Sequence, residues 1–396
     1  MRDIRVNRRG FFSGATVALG AALPEGAEAG AATGVEDRSS RIRITDAVPH
    51  LCRDRVFLRV DTNLGISGWG EIKGVVPTVA AELARSMLTL LRGENPTRIE
   101  HLWQTLYRAE RNQRGGAFML HCIAGYDMAL WDITGKLWGV PVYRLLGGAV
   151  RDKLRAYPST TAIKVGVGVK GFGADPADIE SMLEPIRKAR EKVGPKGTVM
   201  FDAHSSVPPA TLRQLAAGME PYAVRFIEEP AVPGNMEVFK QLRAAIKVPL
   251  ATGERDRTLW GILPYLTEGI VDFVQPDCGY TGGISQMRKI AAIAEAYYTP
   301  IVPHCTQSYL GMTASFHTAF NAPLFMIHEA YDDALWAQVT KPHWKKSADG
   351  FVTLPEGTGL CVDVDEVALK RIASDPTYRY QWRGPGRHPD GAVADY

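Results

Sequence analysis

The sequence has no CxxC pair: Cys52, Cys122, Cys278, Cys305 and Cys361 are scattered singly. An odd count at such spacing argues against both a disulfide framework and a thiolate zinc site. Charge of one sign is also missing. The 46 basic and 43 acidic residues leave a formal charge of +3, and no basic stripe is interleaved with aromatics. No nucleic-acid partner is expected. Nor is there an apolar run long enough for a membrane span; the one near the start, residues 11–23, is too short. Solenoid periods and low-complexity tracts are absent as well. What is present, 45% hydrophobic and 22% charged residues over 396 positions, is ordinary for a globular protein of one large domain or two moderate ones.

The first forty residues differ from the rest. Arg2, Arg5, Arg8 and Arg9 make a basic start, with a twin arginine before Gly10-Phe11-Phe12. A mildly apolar stretch follows, then Ala27-Glu28-Ala29, a small-x-small cleavage site. That order is the layout of a secretory signal, and the arginine pair points to the twin-arginine route and a periplasmic enzyme. The alternative is a disordered basic tail on a cytoplasmic enzyme.

We therefore expect a signal and linker over residues 1–40 and an α+β unit over 41–150. A barrel over 151–340 and a tail over 341–396 that packs back on the first unit complete the chain. Arg55-Val56-Phe57-Leu58-Arg59-Val60 reads as a strand, with a turn at Asn63-Leu64-Gly65, and helical periodicity follows at 79–91 and 123–137. Past Asp152 short apolar runs recur at 162–167, 199–201, 224–227, 249–252, 271–274, 300–302 and 324–327. Helical segments lie between them, clearest at 179–192 and 286–296. Buried strands alternating with helices indicate an α/β fold with a parallel sheet, here a (β/α)8-type barrel. The first strand is expected at 154–157. So little separates it from the run at 162 that the helix between them is missing or very short.

In such a barrel the chemistry sits at the carboxyl ends of the strands. Those positions are Asp202, Glu228 and Glu254, each 26 residues after the last. Three carboxylates converging on one mouth repel unless a hard divalent cation joins them, and all-oxygen ligation suits Mg²⁺. Strand ends capping helices or meeting arginines are the bland alternative. The next two strands end at Asp277 and His304, where a carboxylate can fix the tautomer of an imidazole and strengthen it as a base. His204, two residues beyond Asp202, would share that ligand's side of an extended segment and could protonate a leaving hydroxyl. Glu329, after the eighth run, could hydrogen-bond a substrate oxygen, with His328 and Asp332 as competitors.

These strand ends resemble the mandelate racemase subgroup of the enolase superfamily, and within it the acid-sugar dehydratases. The likeness runs from about Arg55 to the C-terminus. It includes Gly68-Trp69-Gly70-Glu71, Ala124-Gly125-Tyr126-Asp127-Met128-Ala129-Leu130-Trp131-Asp132 and Leu145-Leu146-Gly147-Gly148. Phe226-Ile227-Glu228-Glu229-Pro230, Gly253-Glu254-Arg255, Gln275-Pro276-Asp277, Gly282-Gly283-Ile284 and Pro303-His304-Cys305 continue it. The resemblance implies a capping domain made by the N-terminal segment and the tail. It matches Asp202, Glu228 and Glu254 to the metal ligands, His304 with Asp277 to the base dyad and His204 to the acid. Glu329 matches the carboxylate that stabilises the enediolate, while Glu229 reads as support for its neighbour.

The chain also departs from that pattern. Racemases of this subgroup carry Lys-x-Lys on the second barrel strand, the second lysine being the opposing base. Here the residues are Lys164-Val165-Gly166. Glycine cannot take a proton, which removes the usual two-base racemisation. Lys164 is left to bind an anionic carboxylate, or to be a lysine with no such part. The reaction expected is Mg²⁺-dependent dehydration of a galactonate-like aldonate to a 2-keto-3-deoxy acid, by a homo-oligomer acting on a small-molecule sugar acid. Sugar-acid epimerisation or racemisation, lactone cycloisomerisation, and ligand binding without turnover are the rivals. Specificity is expected from loops at 48–54 and 73–77.

Overall fold

The computed structural model describes residues 41–166, 176–382, 384–387 and 391–394. The twin-arginine start and the Ala27-Glu28-Ala29 site lie outside them. Three antiparallel strands, β1 (Ile44–Cys52), β2 (Arg55–Thr62) and β3 (Ser67–Lys73), form the first sheet. Helices α1 (Pro77–Leu91), α2 (Ile99–Ala109) and α3 (Ala117–Trp138) cover it. Residues 48–52 are thus strand rather than loop, and the β1–β2 turn at Arg53 and Asp54 faces the tail through an Arg53–Asp375 ion pair of 2.9 Å.

Close approach explains the first glycine motif. A Cβ at Gly70 would stand 1.8 Å from the Gly125 carbonyl oxygen, so only glycine lets β3 lie on α3. The charged members of these motifs tie elements together. Asp127 accepts from the Ser285 backbone amide at 3.0 Å, and Asp132 from the amides of Trp69 (2.9 Å) and Leu360 (2.8 Å). Buried Glu71 accepts from Arg55 (2.7 Å) and from the Ser308 amide (2.9 Å) at a helix start.

After α4 (Val142–Leu145) the barrel begins with β4 (Lys153–Tyr157) and β5 (Ala162–Gly166), with no helix between them. It continues through α5 (Pro176–Val193), β6 (Thr198–Asp202), α6 (Pro209–Gly218), β7 (Ile227–Glu228) and α7 (Met236–Ala245). Next come β8 (Leu250–Thr252), α8 (Thr258–Thr267), β9 (Phe273–Val274), α9 (Ile284–Ala296), α10 (Tyr309–Asn321) and β10 (His328–Glu329). Strands β5 to β9 pair in parallel, and β10 returns to pair in parallel with β4.

The runs at 300–302 and 324–327 shrink to single bridges, Val274 to Ile301 and Ile301 to Phe325. Pro300, Pro303 and Pro323 lack the N–H that a longer ladder needs. Eight side chains fill the interior, one from each barrel segment: Tyr157, Ala162, Met200, Phe226, Ala251, Phe273, Val302 and Ile327. This packed layer is what makes the barrel a rigid ring for the residues above it.

The tail contributes β11 (Thr340–Pro342), β12 (Phe351–Thr353), β13 (Val362–Val364) and α11 (Glu366–Ala373). Strand β12 pairs antiparallel with β4, on the edge opposite β10. At α11, Glu366 meets Arg59 of β2 at 2.8 Å. Among the described residues no helix is long and apolar enough to cross a membrane.

Candidate active site

Strands β6 and β7 end on Asp202 and Glu228, and Glu254 follows β8 by two residues. One oxygen from each lies within 4.8 Å of the others. Glu228 is fully buried, and its Oε2 accepts from Gln275 Nε2 at 2.7 Å. Burial and the neighbouring Asp202 push Glu228 well above the usual carboxylate range. Three hard oxygen donors at this spacing, one of them poorly tolerated as an anion, fit a divalent cation such as Mg²⁺.

Lys164 reaches into the ring with 9% of its side chain exposed. Its Nζ lies 2.8 Å from Glu228, 3.0 Å from Asp202 and 3.4 Å from Glu329. Burial would raise Asp202 too, but the Lys164 and His204 charges more than offset it and hold Asp202 low. Glu329 is likewise held low, against burial, by Lys164 and His304 and by the Cys305 amide at 3.0 Å. As a carboxylate it can accept hydrogen bonds but not donate one. Its competitors face elsewhere. His328 bonds Ser315 Oγ at 2.7 Å beneath Phe316, and exposed Asp332 pairs with Lys346.

On the far side His304 Nδ1 meets Asp277 Oδ2 at 2.7 Å. The other Asp277 oxygen accepts from the Gly279 amide (2.7 Å) and Gln307 Nε2 (2.8 Å). A buried carboxylate so held keeps the proton of a neutral ring on Nδ1. Nε2 then faces Glu254 at 3.5 Å and Glu329 at 3.7 Å. Burial lowers the His304 pKa, but Glu254, Glu329 and Asp277 together raise it well above 6.5.

His204 is half-exposed, and its Nε2 lies 3.1 Å from Asp202 Oδ2. The hydrogen bond to Asp202 raises its pKa above the usual imidazole value. His204 does lie on the Asp202 side, but not by extension of the strand: β6 stops at Asp202, and His204 has φ +47°. A left-handed turn folds the ring back onto the carboxylate.

Sequence reasoning missed two supports. Gln275 alternates with Asp277, so the strand period of two could have flagged it as inward-facing; Gln307 carried no comparable signal. It also missed Tyr280, which stacks on His121 at 4.5 Å and tilts against His304 at 5.8 Å. Gly74, within the anticipated 73–77 loop, lies against both rings: a Cβ there would be 2.7 Å from Tyr280.

Two family models match this chain. Residues 49–147 match the mandelate racemase / muconate lactonizing enzyme N-terminal domain, and residues 149–368 match the enolase C-terminal domain-like model. A D-galactonate dehydratase of Ralstonia pickettii is 34% identical over 381 residues, covering 86% of this chain and 96% of that one. Among solved structures, an enolase of Agrobacterium radiobacter, named as a candidate galactarate dehydratase and carrying Na and L-malate, superposes with a TM-score of 0.79. It is 28% identical, over 89% of this chain and all of that one. The 3,6-anhydro-D-galactonate cycloisomerase of Zobellia galactanivorans gives 0.77 at 26% identity, over 83% and 99%.

Proposed function

The chain belongs to the mandelate racemase / muconate lactonizing enzyme family of the enolase superfamily and is a dehydratase of that family, and from this premise we propose that it converts a galactonate-like aldonate to a 2-keto-3-deoxy acid with Mg²⁺. One observation carries the reading. Two imidazoles meet one carboxylate cluster from different residues, His204 at Asp202 and His304 beside Glu254, and position 166 offers no second base.

Asp202, Glu228 and Glu254 would hold the cation. When bound, Mg²⁺ supplies positive charge that favours the substrate carboxylate, offsets the acidic groups holding His304 protonated, and stabilises the charge that builds as the α-proton leaves. His304 takes that proton at Nε2, its Nδ1–H held on Asp277. His204 gives its proton to the β-hydroxyl as water departs, and the enol tautomerises to the keto acid. Lys164 pairs with the substrate carboxylate. Glu329 enters as an acceptor and orients a substrate hydroxyl.

Gly166 favours elimination over racemisation, because deprotonation and reprotonation on opposite faces need two bases. The cycloisomerase likeness keeps ring opening or closure as the rival. Incubation of the Mg²⁺-loaded enzyme with a panel of aldonates, read as semicarbazide-reactive 2-keto acid, separates them. Isomerised product without keto acid from every member would overturn the dehydratase reading. A homo-oligomer belongs to the same proposal and is checked by light scattering.

A further inference from the structure

A half-exposed histidine in a left-handed turn does not hold its own direction. His204 (φ +47°) and Ser205 (φ +54°) are consecutive, and neither is glycine. Such residues persist only where their surroundings impose the conformation. Part of that restraint is local, the His204 amide donating to Asp202 Oδ1 at 3.0 Å and the Ser206 amide to the Ala203 carbonyl at 2.9 Å, and the rest is a closed ring of bonds from the neighbouring segments. The Ser205 amide donates to the Glu229 carbonyl at 2.8 Å, and the Ser205 hydroxyl donates to the Ala231 carbonyl at 2.8 Å. Arg255 Nη2 donates to Ser205 Oγ at 2.5 Å, and Arg255 Nε to Glu229 Oε1 at 2.5 Å. Glu229 is itself left-handed, at φ +42°. One guanidinium from the segment after β8 therefore fastens two segments, those after β6 and β7. Each fastened residue lies within three positions of Asp202 or Glu228.

Resting on the dehydratase reading above, we infer that Arg255, acting through Ser205 and Glu229, is a positioning residue for the His204 acid. It keeps the 204–205 turn closed so that the imidazole stays on Asp202 and faces the leaving hydroxyl. Arg255 touches no reacting atom in this assignment. The fork geometry of the guanidinium matters, since a lysine has one point charge and cannot span Glu229 and Ser205 in the same way.

The reaction separates this role from a general structural one. Proton removal by His304 does not need His204, whereas hydroxide loss does. On a dehydrated aldonate, Arg255→Gln and Ser205→Ala should lower kcat for keto-acid formation by roughly tenfold or more. KM should stay within about twofold of wild type, in the pattern of an interaction made only in the transition state. Solvent deuterium should still enter Cα of recovered substrate, so the ratio of exchange to product rises. Ser205→Gly, which suits the left-handed backbone but lacks the hydroxyl, should lose product rate as Ser205→Ala does. In a His204→Asn background Arg255→Gln should add little further loss, because residues acting as one unit are not additive.

Equal loss of exchange and product in both variants would mean a damaged metal site and overturn the inference. A raised KM alone would make Arg255 a substrate contact and overturn it as well. The crystal structure of Arg255→Gln tests the same point without substrate: the His204 ring must leave Asp202, and an unmoved ring overturns the assignment. Absence of keto acid from the wild type would instead count against the dehydratase reading, which the variants leave untouched.

Discussion

The imidazole of His204 lies where a side chain at Gly166 would go: a Cβ on Gly166 would stand 3.2 Å from His204 Cε1 and 3.5 Å from its Nδ1. On the proposed mechanism, the glycine that offers no opposing base also leaves room for the His204 acid. Positions 166 and 204 then present, on that mechanism, one choice between an opposing base and a leaving-group acid. Gly166→Val should push the ring off Asp202. The expected result is keto-acid formation reduced by about tenfold or more with α-proton exchange retained. Unchanged product formation would show that the two positions do not compete for space.

The carboxylate cluster predicts metal dependence of both activity and stability. Chelation should abolish keto-acid formation and Mg²⁺ should restore it, while Asp202→Asn, Glu228→Gln and Glu254→Gln should each cripple turnover. Mg²⁺ at about 100 times its Kd should add about 2.7 kcal/mol to folding stability, seen as a raised Tm. Lys164→Met removes the ammonium between Asp202 and Glu228, so its Tm after chelation should fall below that of similarly treated wild type. Full activity after exhaustive chelation would end the three-ligand assignment.

Much of this site was legible because a short apolar run ending in a polar residue is a local signal. Asp202, Glu228 and Glu254 close such runs, as do Asp277 and His304. The later strands were over-read at 300–302 and 324–327, since apolar content there is not matched by hydrogen-bonding capacity. The turn that brings His204 to Asp202 is held partly by local bonds, the His204 amide on Asp202 Oδ1 (3.0 Å) and the Ser206 amide on the Ala203 carbonyl (2.9 Å), and partly by Glu229 and Arg255, which the local sequence does not announce. Motif carboxylates were recognised only by likeness. Their work is to cap and tie elements whose partners lie 63 (Asp132 to Trp69), 158 (Asp127 to Ser285) and 237 (Glu71 to Ser308) residues away. Pairings at that distance leave no local periodicity to read.

Buried histidines away from the site should make the fold acid-sensitive. His317 Nδ1 accepts from the Tyr143 amide at 3.2 Å, and its Nε2 faces the Leu360 carbonyl at 3.1 Å, which satisfies the neutral ring. Burial lowers its pKa from 6.5 to about 4. The unfolded chain therefore binds a proton that the folded chain refuses. His317 contributes fully above about pH 6.5, and that contribution is lost as the pH falls toward 4. Asp127, raised by burial to about 7, acts with the opposite sign, so the comparison is with His317→Gln. Between pH 7 and 5 wild type should lose about 2 kcal/mol relative to the variant in urea unfolding. Parallel pH profiles would refute it.

Export is a separate proposal, resting on Arg8-Arg9 and Ala27-Glu28-Ala29. Cell fractionation should find the wild type in the periplasm and shortened at its start. Arg8→Lys with Arg9→Lys should leave it cytoplasmic and full-length. A wild type that is itself cytoplasmic and uncleaved would defeat the proposal.

The base side of the mechanism can be tested apart from the acid. Asp277 holds His304 through one oxygen and is itself held through the other by Gln307 and the Gly279 amide. His304→Asn should therefore show neither deuterium exchange at Cα nor keto acid, because Gly166 leaves no substitute base on the opposite face. Asp277→Asn keeps the shape but offers an amide, which can stabilise the wrong tautomer and cannot balance the imidazolium. Both exchange and product should fall together, by a hundredfold or more on the order expected for general-base catalysis. Gln307→Leu removes one of the donors to Asp277 and should cost less, again on both readouts. This common fall is the reverse of the split expected for His204→Asn, which spares exchange. If His304→Asn still exchanges the α-proton, the base lies elsewhere, and Lys164, 3.4 Å from Glu329 within the same ring, becomes the group to test.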